Sequence, residues 1–346
     1  MPRESDPVVL SWPGRAPRRP LPAADLVVTH AGEADVRLVH GDNLAAMSAL
    51  AEELRGAVAL AYFDPPFLTG RAHERIIRAR DEDGRPSRRS LPAFDDRWSG
   101  LAEYLDELGA RMAAARALLA PEGCLVVHVD PRTSHYVRVL GDEIFGVQAF
   151  ASEIVWRYRR WPAKTRNFQR VHDTLLRWVR DPQVVPRFHQ LYEPLAPSTL
   201  ATWGARRQRA VVDERGRRAR SSVTEAATPG APLGDVWEIG IVAPVARERT
   251  GWPTQKPEAL LERLLLACTA PGDVVIDPYA GSGTTLAVAA RLGRRAIGVD
   301  QSADAIALAA ARLLEAGRAP ARHAATIRVA PRSARRKGPG RAPRAA

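Results

Sequence analysis

Cysteine is scarce in this chain of 346 residues: Cys124 and Cys268 are the only two, and both lie in apolar segments. Neither a disulfide framework nor a cysteine-based zinc site is available, and both residues are read as small core side chains. Long apolar runs are missing as well. No stretch approaches the roughly 18 consecutive apolar residues of a membrane-spanning helix, and the opening MPRESDPVVL lacks the apolar run of a signal peptide, so the expectation is a cytoplasmic protein with no membrane partner. Lysine occurs only at Lys164, Lys256 and Lys337, which leaves 48 of the 51 basic residues as arginine. Against 39 acidic residues the net charge is +12, with 45% hydrophobic and 26% charged residues. That composition excludes wholesale disorder and suits one large α/β domain with an insertion, or two modest domains.

What is present is unevenly placed. Residues 151–222 hold 16 Lys+Arg against 6 acids, a net +10, and residues 317–346 hold 9 against none, so the remaining 244 residues net −7. An arginine bias with abundant alanine also fits a GC-rich genome, but basicity gathered in one internal segment and one tail is what a phosphate-tracking surface requires.

Hydrophobic periodicity divides the chain. Residues 1–34 are Pro-rich and aperiodic and read as an arm with little regular structure. A strand at Val36–Val39, a helix over 44–54 and a strand at Val58–Phe63 follow, and the polar, Arg-rich residues 68–99 read as a long mobile loop acting as a lid. Helical spacing over Leu101–Leu119 precedes a buried-type strand at Cys124–Val129, a helix near 132–144 and strands at Glu153–Tyr158 and Thr174–Val179. Residues 181–250 lose the alternation and read as an inserted recognition region. The rhythm resumes with a helix over Pro257–Thr269, a strand at Asp273–Asp277, a glycine turn and helix to about 292, a strand at Arg295–Val299 and a helix over 302–316. Strands alternating with helices imply a mostly parallel sheet. The boundaries are thus 1–34, an arm; 35–180, a catalytic half; 181–250, target recognition; 251–316, a cofactor-binding half; and 317–346, a basic disordered tail.

Two motifs carry chemistry. Asp277-Pro278-Tyr279-Ala280-Gly281-Ser282-Gly283-Thr284-Thr285 follows a strand and opens a helix, where backbone amides can receive a nucleotide-like ligand. It is no P-loop, having no lysine after Gly283, and no dinucleotide fingerprint, since position 286 is leucine. Asp300 closes the next strand 19 residues after Gly281, placed to accept hydrogen bonds from ribose hydroxyls, so adenosine without a pyrophosphate fits best. Gly283 is expected to leave room for the ligand, a branched side chain there blocking binding without disturbing the fold. The second motif, Asp64-Pro65-Pro66-Phe67, ends a buried strand, and its prolines fix the carbonyls in one direction. The Asp64 carboxylate and the Pro65 carbonyl can accept from the NH2 of a base and localise the nitrogen lone pair, while Phe67 offers a stacking face. At an exposed strand end, Asp64 is expected to be dispensable for folding.

In this order, with GDN at 41–43, PEGCLVVHVD at 121–130, DEIFG at 142–146, EIVWRY at 153–158, HDTLLRW at 172–178, ERTGWPTQKPEALLERLL at 248–265 and RRAIGVD at 294–300, the motifs resemble the site-specific DNA amino-methyltransferases dependent on S-adenosylmethionine, of the permuted class in which Asp-Pro-Pro-aromatic precedes the cofactor glycine motif. The resemblance covers about residues 35–316. Family members more often have Tyr at 67 and Glu at 300; Phe67 and Asp300 keep the stacking face and the carboxylate. It implies a Rossmann-like α/β methyltransferase sheet with circularly permuted motif order and an inserted target-recognition region. It also implies that the cofactor's methionine amino group lies near Asp64 and the backbone of Asp277, Pro278 and Tyr279. The cofactor carboxylate is then expected near Thr254, Lys256, Thr284 and Thr285, its adenine near Asp42, with Gly281, Gly283 and Asp300 completing the site. No metal is implied. The dyads His172–Asp173 and His128–Asp130 are assigned to structure, because methyl transfer from a sulfonium needs no strong base beforehand.

The stretch from Trp156 to Arg170 interleaves Trp156, Tyr158, Trp161 and Phe168 with Arg157, Arg159, Arg160, Lys164, Arg166 and Arg170. Arginines suit phosphate contacts or guanine readout, and aromatics can fill the gap a flipped base leaves. The expected activity is methylation of adenine N6 in double-stranded DNA, with cytosine N4 as the alternative; RNA methylation and a DNA-binding homologue without catalysis rank below. Asp at 64 favours adenine, since cytosine enzymes of the group often have Ser there. The resemblance also admits a homodimer, a cognate restriction endonuclease and nucleoid association through bound DNA.

Overall fold

Val58–Phe63 is apolar at every position and buried at every position, as a strand covered on both faces must be. Its side chains alternate between two cores. Ala61 and Phe63 join Met47, Tyr104, Leu108 and Met112 on one face, while Leu60 and Tyr62 join Leu260, Leu264, Leu286, Ile306 and Leu313 on the other. The computed structural model describes residues 8–15, 21–80, 85–160, 164, 166–204, 210–212, 214–220 and 228–327.

Along the chain run β1 (Ala24–His30), β2 (Glu33–His40), α1 (Asn43–Ala49), α2 (Ala51–Leu54), β3 (Val58–Phe63), β4 (Ala72–Arg80), β5 (Pro86–Asp95), α3 (Leu101–Leu118), β6 (Leu119–Val129), α4 (Ser134–Phe145), β7 (Phe150–Arg157) and β8 (His172–Val179). There follow β9 (Tyr192–Glu193), α5 (Pro197–Trp203), β10 (Ala210–Val212), β11 (Arg218–Arg220), β12 (Ala231–Pro232), β13 (Val236–Glu238), α6 (Glu258–Cys268), β14 (Val274–Asp277), α7 (Thr284–Arg291), β15 (Arg295–Asp300), α8 (Ala303–Glu315) and β16 (Pro320–Ile327).

Ten strands form one sheet in the order β1-β16-β2-β15-β14-β3-β6-β8-β7-β13. From β16 to β6 every pair is parallel, β7 and β13 are parallel, and antiparallel pairs occur at β1–β16, β6–β8 and β7–β8. The helix leaving β14 packs in the second core and the helix leading from β3 to β6 packs in the first. The carboxyl ends of β3 and β14 therefore meet at a switch point, where an open α/β sheet forms its ligand crevice. No helix among the described residues is long and apolar enough to cross a membrane.

Three expectations need correction, and one region gains connections that its sequence did not show. The arm holds β1, which pairs from Ala24↔Ile327 to His30↔Arg322 with β16, itself part of the expected disordered tail. Only residues 328–346 of that tail lie outside the described residues. Leu26 and Ala325 pack on the first core, a benefit that arises only when distant strands meet and that local propensity does not register. Residues 68–99 are not one loop: β4 and β5 pair from Ala72↔Asp95 to Arg80↔Pro86. Buried Asp96 fixes the hairpin base, accepting from the Leu68 and Thr69 amides at 2.9 and 2.8 Å, from the Thr69 hydroxyl at 2.6 Å and from Trp98 Nε1 at 3.0 Å. Finally, the region 181–250 is knit into the sheet at both ends. Arg187 bridges Glu122 and Asp273, and β13 extends the sheet with Trp237 buried against α6.

Candidate active site

β3 ends at Phe63, and Asp64 turns into the crevice, where the ammonium of Lys256 lies 2.7 and 2.6 Å from its two carboxylate oxygens. Lys256 sits just before α6, 7% exposed, and also donates to the Thr254 carbonyl at 3.3 Å. Thr254 has φ +60, a left-handed conformation that a branched residue adopts at a cost of about 1–3 kcal/mol. Leu68, one residue past Phe67, has φ +55. Among the described residues these are the two non-glycine positions with positive φ, one just after the Asp-Pro-Pro-Phe motif and one just before Lys256. Phe67 lies between the Lys256 ammonium, 5.0 Å from its ring centre, and the His128 ring at 5.6 Å.

Beside Asp64 opens a cavity of about 520 Å³, within the size range of ligand sites. Its walls are Asp64, Pro65 and Pro66; Asn43, Tyr104, Glu107 and Arg111; Pro92, Phe94 and Asp95 of the hairpin; Trp252, Thr254 and Lys256; and Asp277 to Ser282 with Thr284, Thr285 and Asp300. Five carboxylates (Asp64, Asp95, Glu107, Asp277, Asp300) thus face two cations, Arg111 and Lys256. Burial pushes the Asp277 carboxyl up to about 7, the charges of Asp64 and Asp300 adding to the effect against hydrogen bonds from Thr285 and the Tyr279 amide. Burial also raises Asp300, whose oxygens accept from the Gly281 and Ser302 amides at 2.9 and 2.8 Å. Such a site carries more carboxylates than cations and suits a cationic ligand.

The residues singled out from sequence fall into three groups. Asp64, Pro65, Pro66, Thr254, Lys256, Asp277, Pro278, Tyr279, Gly281, Thr284, Thr285 and Asp300 all line the cavity. Asp42 and Gly283 stand behind its wall. Asp42 caps α1, accepting from the Ala45 amide at 2.8 Å and from Arg111 at 2.9 Å, and Asn43 rather than Asp42 faces inward. At Gly283, with φ +74, a Cβ would come within 2.7 Å of the Ala309 Cβ in α8, so this glycine serves helix packing and cannot be replaced without disturbing the fold. Lys256, expected to meet a ligand carboxylate, has its ammonium on Asp64.

Of the basic segment, Arg157 is paired with Glu238. Arg159, Arg160, Lys164, Arg166 and Arg170 are exposed, Arg160 lying 5.2 Å above the Tyr158 ring and Arg170 reaching 3.9 Å from Asp130. Trp161 lies outside the described residues.

His128 and Asp173, one from each dyad, face each other. His128 Nδ1 lies 2.9 Å from the Tyr62 hydroxyl and 4.0 Å from Asp64, while Nε2 faces Asp173 at 3.4 Å. Asp130 instead binds Arg132. Because β8 runs antiparallel to β6 with His128 opposite Leu175, Asp173 is its diagonal neighbour. Sequence reasoning missed this, along with the hairpin residues Pro92, Phe94 and Asp95, Asn43, Arg111 and Trp252. An Asp and a His at the facing ends of two buried strands were the available signal.

A doubly wound α/β sheet with an acidic crevice at its switch point, and with Asp-Pro-Pro-Phe preceding the glycine turn, has the architecture of a Rossmann-like methyltransferase. Residues 58–311 match the family model of N6/N4 DNA methylases, and the chain belongs to that family. It is 28% identical over 286 residues to the DNA adenine methyltransferase YhdJ of Escherichia coli K12, covering 82% of this chain and 85% of that protein. It is 30% identical over 211 residues to the type II methyltransferase M.HpaI of Haemophilus parainfluenzae, covering 61% of this chain and 60% of that one. Among solved structures, the cytosine-N4-specific PvuII DNA methyltransferase shares the fold with a TM-score of 0.52 at 16% identity, over 80% of this chain and 86% of that one.

Proposed function

We propose that this DNA methyltransferase uses S-adenosylmethionine and methylates the N6 amine of adenine extruded from duplex DNA. The observation that carries the reading is the Asp64 carboxylate, held by Lys256 in the wall of an acidic cavity that Pro65 and Pro66 also line. When bound, the cofactor supplies a methyl group activated by a sulfonium. The excess of carboxylates matches that charge, and Asp277, buried without a cation partner, suits an ammonium. Lys256 bonds both Asp64 oxygens and so fixes the plane of the carboxylate, while each oxygen keeps a lone pair for the target amine. With Pro65 as second acceptor, the amine nitrogen pyramidalises and its lone pair points at the methyl group. As the nitrogen–carbon bond forms and the sulfur–carbon bond breaks, nitrogen retains one proton too many, which leaves to Asp64 or water.

Adenine is favoured by Asp at position 64 and by the adenine-specific name of the relative matched along most of its length. Mass spectrometry of nucleosides from DNA incubated with the protein and S-adenosylmethionine tests it. N6-methyladenine is the expected product; N4-methylcytosine alone would assign the alternative specificity, and no methylated base would refute the activity.

A further inference from the structure

Phe168 is 96% exposed, the most exposed of the large apolar side chains among the described residues. Burying a side chain of this size is worth about 1.5–3 kcal/mol, and the fold makes no use of it here. The two neighbouring aromatics of the same segment are spent on structure. Trp156 is 3% exposed and donates from Nε1 to the Ile239 carbonyl, and Tyr158 is 5% exposed with its hydroxyl on Asp173.

The position of Phe168 gives that exposure a direction. It lies in the connection between β7 and β8, whose base is closed by the Tyr158 amide on the Val171 carbonyl at 2.9 Å. That base stands at the carboxyl edge of the sheet: Val129, the last residue of β6, is opposite Thr174, and Asp173 faces His128 beside Asp64. Val171 is three positions after Phe168, so the Phe168 Cα lies within about 11 Å of the loop base. Around it residues 159–170 contain Arg159, Arg160, Lys164, Arg166 and Arg170 and no acid. An exposed aromatic on a segment this rich in cations and free of acids is a poor apolar docking patch for a protein, which needs contiguous apolar surface. It is well suited to a stack of bases flanked by phosphates.

We propose that Phe168 is a wedge that enters the duplex and occupies the space the target base vacates on moving into the cavity. The inference rests on the reading of the chain as a methyltransferase of duplex DNA. Extrusion leaves a gap in the stack, and an aromatic ring inserted there recovers stacking worth about 1–3 kcal/mol per base. The cations hold the phosphates on either side while the ring enters, which is why one segment carries both.

The test compares wild type, Phe168→Ala and Phe168→Trp on two duplexes containing the site that wild type methylates, one fully paired and one with a mismatch opposite the target base. Phe168→Ala is expected to lower single-turnover methylation of the paired duplex by about tenfold or more, and to lose less than about threefold where the mismatch has already loosened the base. Phe168→Trp restores the paired rate, and melting temperatures are unchanged because the side chain is exposed. Equal activity of Phe168→Ala on the paired duplex overturns the wedge, and so does an equal loss on both duplexes, which would mark an ordinary binding contact. If wild type methylates neither duplex, the functional reading fails and the wedge with it.

Discussion

Asp64 carries more than the catalytic part proposed for it. Its salt bridge with Lys256 joins positions 192 residues apart, and the lysine is almost fully buried. The motif was legible in the sequence; the partner was not, because a spacing of that size leaves no periodic trace. The expectation that Asp64 can be removed without cost to the fold therefore changes. Asp64→Ala and Lys256→Met should each abolish methyl transfer and each cost about 3 kcal/mol of stability, since either leaves a buried charge unpaired. The double variant should regain most of the stability and none of the activity, as thermal melts and a methylation assay would record. Asp277 makes a second prediction. Its folded-state pKa of about 7 lies above the ordinary 3.8, so the folded protein holds a proton that the unfolded chain has lost. The contribution of this group to stability is complete below pH 3.8 and is lost as pH rises towards 7. Relative to Asp277→Asn, the ligand-free wild-type melting temperature should fall more steeply between pH 5 and 8; parallel profiles would show that Asp277 ionises freely in the fold.

Among the elements, the central strands and the helices between them were legible because apolar runs and helical periods each have one interpretation at that length. The β4–β5 hairpin was not. Its sequence, HERIIRAR against SRRSLPAF, is mostly charged and polar, and what organises it is Asp96, a single buried carboxylate collecting four donors at its base. The residues this hairpin contributes to the cavity, Pro92 to Asp95, were hidden with it. The glycine turn was read correctly as a turn and wrongly in its second glycine. Gly283 opens α7 with φ +74 and touches α8 through the Cβ it lacks, so Gly283→Val should destabilise the protein by more than about 2 kcal/mol. A melting curve within 1–2 °C of wild type, on the order of a few tenths of a kcal/mol, would overturn that account.

For the molecule as a whole, β16 lies between the edge strand β1 and β2, and its pairing sets where the chain can be shortened. Ending the chain after Gly317 removes β16 and leaves β1 with no partner and β2 with one free edge. That variant should aggregate or melt well below the full chain, whereas ending after Ile327 should preserve the melting temperature and the methylated sequence. Circular dichroism melts and site mapping on the two truncations distinguish them; equal melts would mean that β16 contributes nothing to the sheet.

The strand order also sets a timetable for biosynthesis. Val58 of β3 pairs with Val274 of β14, and β2 pairs only with β15 and β16. At roughly 5–20 residues per second, the ribosome releases β14 on the order of 10–40 s after β3. Throughout that interval the nascent chain presents an apolar strand with an unpaired edge, and for most of it the Asp64 carboxylate waits for a lysine not yet translated. Such long-range pairing makes for slow folding and a long exposure to aggregation. The cavity cannot close until Asp300 has been made, so the site is among the last parts of the sheet to assemble.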